Sequence, residues 1–144
     1  MFNNAGISGA TIANYDYLTN LGPLSDTNEA IALINIGIND IESLPAEATW
    51  KANYLALLDY VKAKWPNVVV YIARPWRRDY DSECETLATW ISDIVALRAF
   101  TNLGIDEAVT VKGSDNGTTN TSDGVHYSAA GTVAITAAWL DVLT

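Results

Sequence analysis

The sequence predicts an α/β fold built on a parallel sheet, and three observations carry that expectation. Three apolar runs, Ala30 to Ile36, Val68 to Ala73 and the shorter Ala108 to Val111, read as buried strands. Between and after them, apolar residues recur at helical steps. Strands that alternate with helices in this way require right-handed crossovers, and therefore parallel pairing. With 144 residues, the chain fits one domain, residues 1–144, long enough to bury a core.

The elements follow in order. "NAGISGAT", Asn4 to Thr11, sets two glycines ahead of a short helical stretch. The first apolar run, "AIALINI", ends in "GIND", Gly37 to Asp40. A helix over Ala46 to Trp65 places Trp50, Tyr54, Leu58, Val61 and Trp65 on one face, and Pro66-Asn67 stops it. The second run, "VVVYIA", leads into "RPWRRDYD". A helix over Leu87 to Leu103 gathers Leu87, Trp90, Ile91, Ile94 and Val95, with Gly104 as its stop. After the third run, Gly113 to Ser122 is rich in Gly, Asn, Ser and Thr and reads as a loop. The last helix, Ser128 to Leu143, is expected to bury Val133, Trp139, Leu140 and Leu143.

Composition narrows the function. Hydrophobic residues make up 49% and charged residues 17%, as in a globular chain rather than a disordered one. No apolar run reaches the roughly 18 residues of a membrane span. Met1-Phe2-Asn3-Asn4 lacks the basic and apolar regions of a signal peptide. A net charge of −9 disfavours nucleic acid, since phosphate contacts need a basic footprint. Cys84, the lone cysteine, stands between Glu83 and Glu85, which would raise its pKa rather than activate it. No metal or cofactor motif is present.

In parallel sheets the working residues gather at the carboxyl ends of the strands. That rule brings together "GIND", the arginine-rich loop and "SDGVHYSAAG", Ser122 to Gly131, which holds Asp123 and the single histidine, His126. Imidazole titrates near neutrality, and a carboxylate on its second ring nitrogen fixes the tautomer and steadies the imidazolium. The pair suits general base work; a turn and a stray histidine opening a helix is the plainer alternative. Asn39 has an amide able to donate to an oxyanion, or it is a turn residue. The glycines of "NAGISGAT" either offer backbone N–H groups or form an ordinary turn. Arg74, Arg77 and Arg78 recognise an anion or, as we favour, pair with the acidic residues beside them. Trp76 and Tyr127, close to these stretches, line an acyl site or pack.

Together these stretches resemble the SGNH (GDSL) hydrolase family. "NAGISGAT" looks like the block with the oxyanion glycine, on Gly9. "GIND" looks like the G-x-N-D block, with Asn39 as side-chain oxyanion donor. "DGVH" looks like the D-x-x-H block, with Asp123 and His126 as acid and base. The resemblance implies a three-layer flavodoxin-like sandwich, helices on both faces of a parallel sheet ordered 2-1-3-4-5. It also implies an esterase of small acyl or acetyl esters that needs no cofactor. The family's nucleophile is the serine of a G-D-S block on the first strand, and this sequence contains no "GDS". The first strands of the family fold are thus expected to be missing. Ser8, a water activated by His126, a group not identifiable from the sequence or a G-D-S segment supplied in trans is then the nucleophile, with Trp76, Arg74 and Tyr127 as substrate contacts. A catalytically silent relative that binds a ligand or serves structurally is the alternative. An unprotected apolar edge at Ala30 to Ile36 would pair with a second copy, giving a homodimer.

Overall fold

A computed structural model describes residues 4–24 and 31–144. The N-terminal stretch leads into a short helix α1, Tyr17–Leu21, capped by Asp16, whose side chain accepts from the backbone N–H of Thr19. Then come β1 (Ile31–Ile34), α2 (Glu47–Lys64), β2 (Val69–Arg74), α3 (Asp81–Ala96), β3 (Thr101–Asp106) and α4 (Ala129–Leu143). The three strands form one parallel sheet in the order β1-β2-β3. Ala30, assigned above to the first strand, and Met1 to Asn3 lie outside the described residues. No helix among the described residues is long and apolar enough to cross a membrane.

Strand alternation decides the faces. Val70 and Ile72 are fully buried on the face that carries Thr101, whose hydroxyl donates to the Val95 and Arg98 carbonyls of the α3 end. Trp50, Tyr54, Leu57, Leu58 and Val61 of α2 and Leu87, Ile91 and Ile94 of α3 complete this core. The helical steps that predicted α2 arise from this face, because each of those positions must meet α3 or the sheet. Trp50 of α2 meets Trp90 of α3 at 5.7 Å between ring centroids, an ordinary distance for an aromatic pair.

The opposite face carries α4, which lies over β3. A Cβ on Gly104 would stand 2.6 Å from the Trp139 ring, so only glycine admits this approach. Gly104 is therefore a contact point inside a strand, not the end of a helix. The third strand is correspondingly Thr101–Asp106, and Ala108–Lys112 is a single π-helical turn in which Val109 is 77% exposed. The helix before it closes at Ala96. In α4, Val133 and Leu140, expected to be buried, are 71% and 59% exposed; only Gly131 of this helix is buried. The reason is coverage: α4 meets β3 and leaves the outer strand bare. Ile31, Leu33 and Val69, on the same face as Gly104, remain exposed.

The arginine-rich loop is a brace. Arg74 pairs with Asp106 at 2.8 Å and Arg77 with Glu42 at 2.9 Å, whereas the pairing partners expected were the neighbouring acidic residues. Arg78 donates to the carbonyls of Asn116 and Gly117 and to the Thr121 hydroxyl, which pins the Gly113 to Ser122 loop onto the end of β2. Cys84 is buried, and burial pushes its thiol pKa up.

Candidate active site

The N-terminal stretch, β1 with the loop after it, and the loop before α4 border a cavity of about 850 Å³. Ser8, Gly9, Asn39, His126 and Tyr127 all line it. Its apolar lining includes Leu33, Leu57, Val61 and Trp65.

The loop after β1 turns at Gly37, where φ is +124° and a Cβ would stand 3.0 Å from the Leu87 side chain. Asn39 and Asp40 then clasp the glycine block. Asn39 Nδ2 donates to the Ala10 carbonyl at 3.0 Å, and the Ile12 N–H donates to Asp40 Oδ2 at 3.1 Å. Asp40 is only 4% exposed, and burial raises its pKa. An amide has two N–H donors, so Asn39 retains one beyond its bond to Ala10. Gly9 has φ of +74°, with open space where a Cβ would stand. Its backbone N–H makes no hydrogen bond among the described residues.

The loop before α4 carries His126. His126 Nδ1 lies 2.7 Å from Asp123 Oδ2, while Asp123 Oδ1 accepts from the backbone N–H groups of Val125 and His126. These bonds, the backbone one from His126 foremost, hold the Asp123 pKa far below the carboxylate range. An ionised carboxylate only accepts, so in the neutral ring Nδ1 carries the proton and Nε2 the lone pair. Nε2 bonds to none of the described residues.

Around this pair the backbone is tightly set. Ser122 N donates to the His126 carbonyl, and Arg78 N donates to the carbonyl of Gly124, whose φ of +89° and 2.7 Å approach to the Arg78 Cβ exclude a side chain. Ser128 caps α4 by accepting from the Gly131 N–H, and its own N–H donates to the Asn120 carbonyl. A Cβ on Gly131 would fall 1.9 Å from that same Asn120 oxygen. Gly131→Ala is therefore expected to displace the loop at a stability cost of about 1–3 kcal/mol. A thermal midpoint equal to wild type would contradict this placement.

Two expected substrate contacts lie elsewhere. Trp76 is 2% exposed; its indole donates to Asp81, and it packs beneath Gly117, where a Cβ would meet its ring at 2.6 Å. With Arg74 it borders a separate cavity of about 340 Å³ between α3 and β3. Tyr127 alone of the three reaches the larger cavity. The sequence reading did not single out Glu107 or Asn35. Glu107 is fully buried at the end of β3, and Asn35 Nδ2, Trp76 N and the Tyr127 hydroxyl all donate to it. An acidic residue followed directly by "AVTV" was the available signal. Among the described residues no group of three or more His, Cys, Asp and Glu side chains is placed to hold a metal ion.

The parallel α/β fold thus sets a carboxylate–imidazole pair and amide donors around one cavity. Residues 1–134 match the model of the GDSL-like lipase/acylhydrolase family, and the chain belongs to that family. Membership sets it among hydrolases of ester substrates. A search of the curated proteins finds no match. Among solved structures, the chain is similar to a carbohydrate esterase family 3 protein from Talaromyces cellulolyticus, with a TM-score of 0.72 and 20% identity. That match covers 94% of this chain and 67% of the other. A GDSL-like lipase from Bacteroides thetaiotaomicron aligns with a TM-score of 0.69 and 21% identity, covering 96% of this chain and 73% of the other. These likenesses establish the shared fold.

Proposed function

We propose that the chain hydrolyses small acyl or acetyl esters, with His126 as general base, Asp123 as its orienting acid, and Asn39 and Gly9 as oxyanion donors. The observation that carries this reading is the convergence of His126, Asn39 and Gly9 on one cavity, with the imidazole held through Nδ1 so that Nε2 is free to take a proton. The arrangement favours water as nucleophile. His126 Nε2 accepts a proton from water as the oxygen attacks the acyl carbon. The carbonyl oxygen gains charge against the free Asn39 N–H and the Gly9 N–H. Collapse breaks the bond to the alkoxide, which takes the proton back from the imidazolium. The apolar wall accommodates the acyl group, and Tyr127 borders it.

Ser8 is the protein nucleophile nearest to these donors in the chain. It is exposed, lines the cavity and forms no hydrogen bond with His126. A serine nucleophile needs its base within about 3 Å, or close to it after modest adjustment. Ser8→Ala is accordingly expected to hydrolyse p-nitrophenyl acetate at close to the wild-type rate, with no burst of product in either form. Loss of activity together with loss of fluorophosphonate labelling would instead make Ser8 the nucleophile. The unpartnered Nε2 also favours a second reading, a ligand-binding module without turnover; an absence of hydrolysis with retained binding of the ester would select it.

The same proposal extends to assembly. β1 ends the sheet, with Ile31 and Leu33 50% and 42% exposed, and such an edge pairs readily with another strand. A homodimer through this strand is expected by solution mass at micromolar concentration. A stable, soluble monomer would remove it.

A further inference from the structure

Glu107 is a fully buried carboxyl group that the hydrolytic steps leave unused. It stands where three strand ends meet. Asn35 Nδ2, from the end of β1, donates to Oε1 at 2.7 Å. Trp76 N, from the loop after β2, donates to Oε2 at 3.0 Å. The Tyr127 hydroxyl, from the loop of the base, donates to Oε1. Asn35 Nδ2 also reaches the Tyr127 hydroxyl at 3.3 Å, which closes the network. Tyr127 directly follows His126, and both line the cavity.

A buried carboxylate without donors is costly, whereas one with its lone pairs filled locks its partners in place. Burial raises the Glu107 pKa against the three donors that lower it, so the group holds its donors in a desolvated setting. The His126 side chain, by contrast, is 75% exposed, and its one side-chain partner among the described residues, Asp123, is 53% exposed. A surface pair of this kind orients the ring at Nδ1 but adds little stability of its own. The rigidity of the base has to come from its neighbours in the chain.

We propose that Glu107 is a positioning residue: through Tyr127 its carboxylate fixes the direction in which His126 presents Nε2 to the cavity. This rests on the reading of His126 as the base. Asn35 ties the same carboxylate to β1, four residues ahead of Asn39, so one buried group sets the base and the oxyanion donor relative to each other.

The test uses two variants of the whole chain. Tyr127→Phe removes the hydroxyl and keeps the ring; Glu107→Gln keeps the volume and one acceptor oxygen. The chain has a single histidine, so nitrogen-labelled protein yields the signals of one imidazole ring. Wild type is expected to show one set of ring signals, and both variants a second set or broadening as the ring samples another direction. In p-nitrophenyl acetate hydrolysis kcat should fall by roughly 10-fold to 10²-fold, with KM within about twofold of wild type. Ring signals in Tyr127→Phe that superpose on those of wild type overturn the proposal. So does a change confined to KM, which would make the hydroxyl a substrate contact. If Glu107→Gln does not fold, Tyr127→Phe decides alone. If wild type shows no turnover, the hydrolytic reading fails, while the ring signals still decide whether Glu107 positions the base.

Discussion

His126→Ala keeps its fold and loses ester hydrolysis by roughly 10²- to 10⁴-fold, the range a general base contributes. The fold should survive because the side chain is 75% exposed and its bond to Asp123 lies at the surface, where such pairs contribute little. Circular dichroism and kcat/KM with p-nitrophenyl acetate together make the measurement. Unchanged kcat/KM would show that the Asp123–His126 geometry is a relic with no part in turnover. Asp123→Asn should be a milder lesion of the same kind. The backbone N–H bonds to Oδ1 can survive, but an amide at Oδ2 no longer selects the tautomer that leaves Nε2 unprotonated.

The second large effect is at Asn39. Asn39→Ala should lower kcat by roughly 10²- to 10³-fold, as when an oxyanion donor is removed, and leave KM nearly unchanged. The substitution also frees the Ala10 carbonyl, yet the Ile12 N–H bond to Asp40 continues to hold the glycine block against the strand end. A thermal midpoint separates the two consequences. A change in KM alone would reveal a ground-state contact, and a chain that no longer folds or stays soluble would reveal Asn39 as a turn residue.

The elements that could be read in advance are those whose signal is local. Trp50, Tyr54, Leu58 and Val61 recur at helical steps because one side of α2 is wholly buried, and β2 is an apolar run because both its faces are covered along much of its length. β3 was missed because "TNLGID" carries Asn102 exposed and Gly104 beneath Trp139, so it lacks the apolar run of an inner strand. "AVTV" has that appearance, but its valines split between a buried position at Val111 and an exposed one at Val109, within a single helical turn.

The site divides in the same way. Asp123 and His126 bond across three residues, a spacing visible in any reading of the chain. Glu107 meets Tyr127 across 20 residues and Asn35 across 72, and neither pairing has a local signature. Trp76 illustrates the converse error. An aromatic residue beside polar motifs reads equally as a pocket wall or as packing, and only its 2% exposure and its bond to Asp81 distinguish the two.

The half-bare sheet also sets how the molecule opens. Among the described residues β1 is paired on one side only and no helix covers Ile31 and Leu33, while β2 lies between two strands with α3 packed against it. Local opening begins where backbone bonds are exposed and buried contacts are few, so in the single chain, before any pairing of β1 with a second copy, amide exchange should be fastest along β1 and slowest in β2. Asn35 and Asn39 extend from the strand that loosens first, whereas the loop bearing His126 is tied by Arg78 to the firm side. Fluctuation of this chain therefore loads the Asn35–Glu107 tie between the proposed oxyanion donor and base before it reaches the rest of the core. Warming should slow catalysis, through a lost alignment of the two halves, at temperatures where the helices still give their full signal.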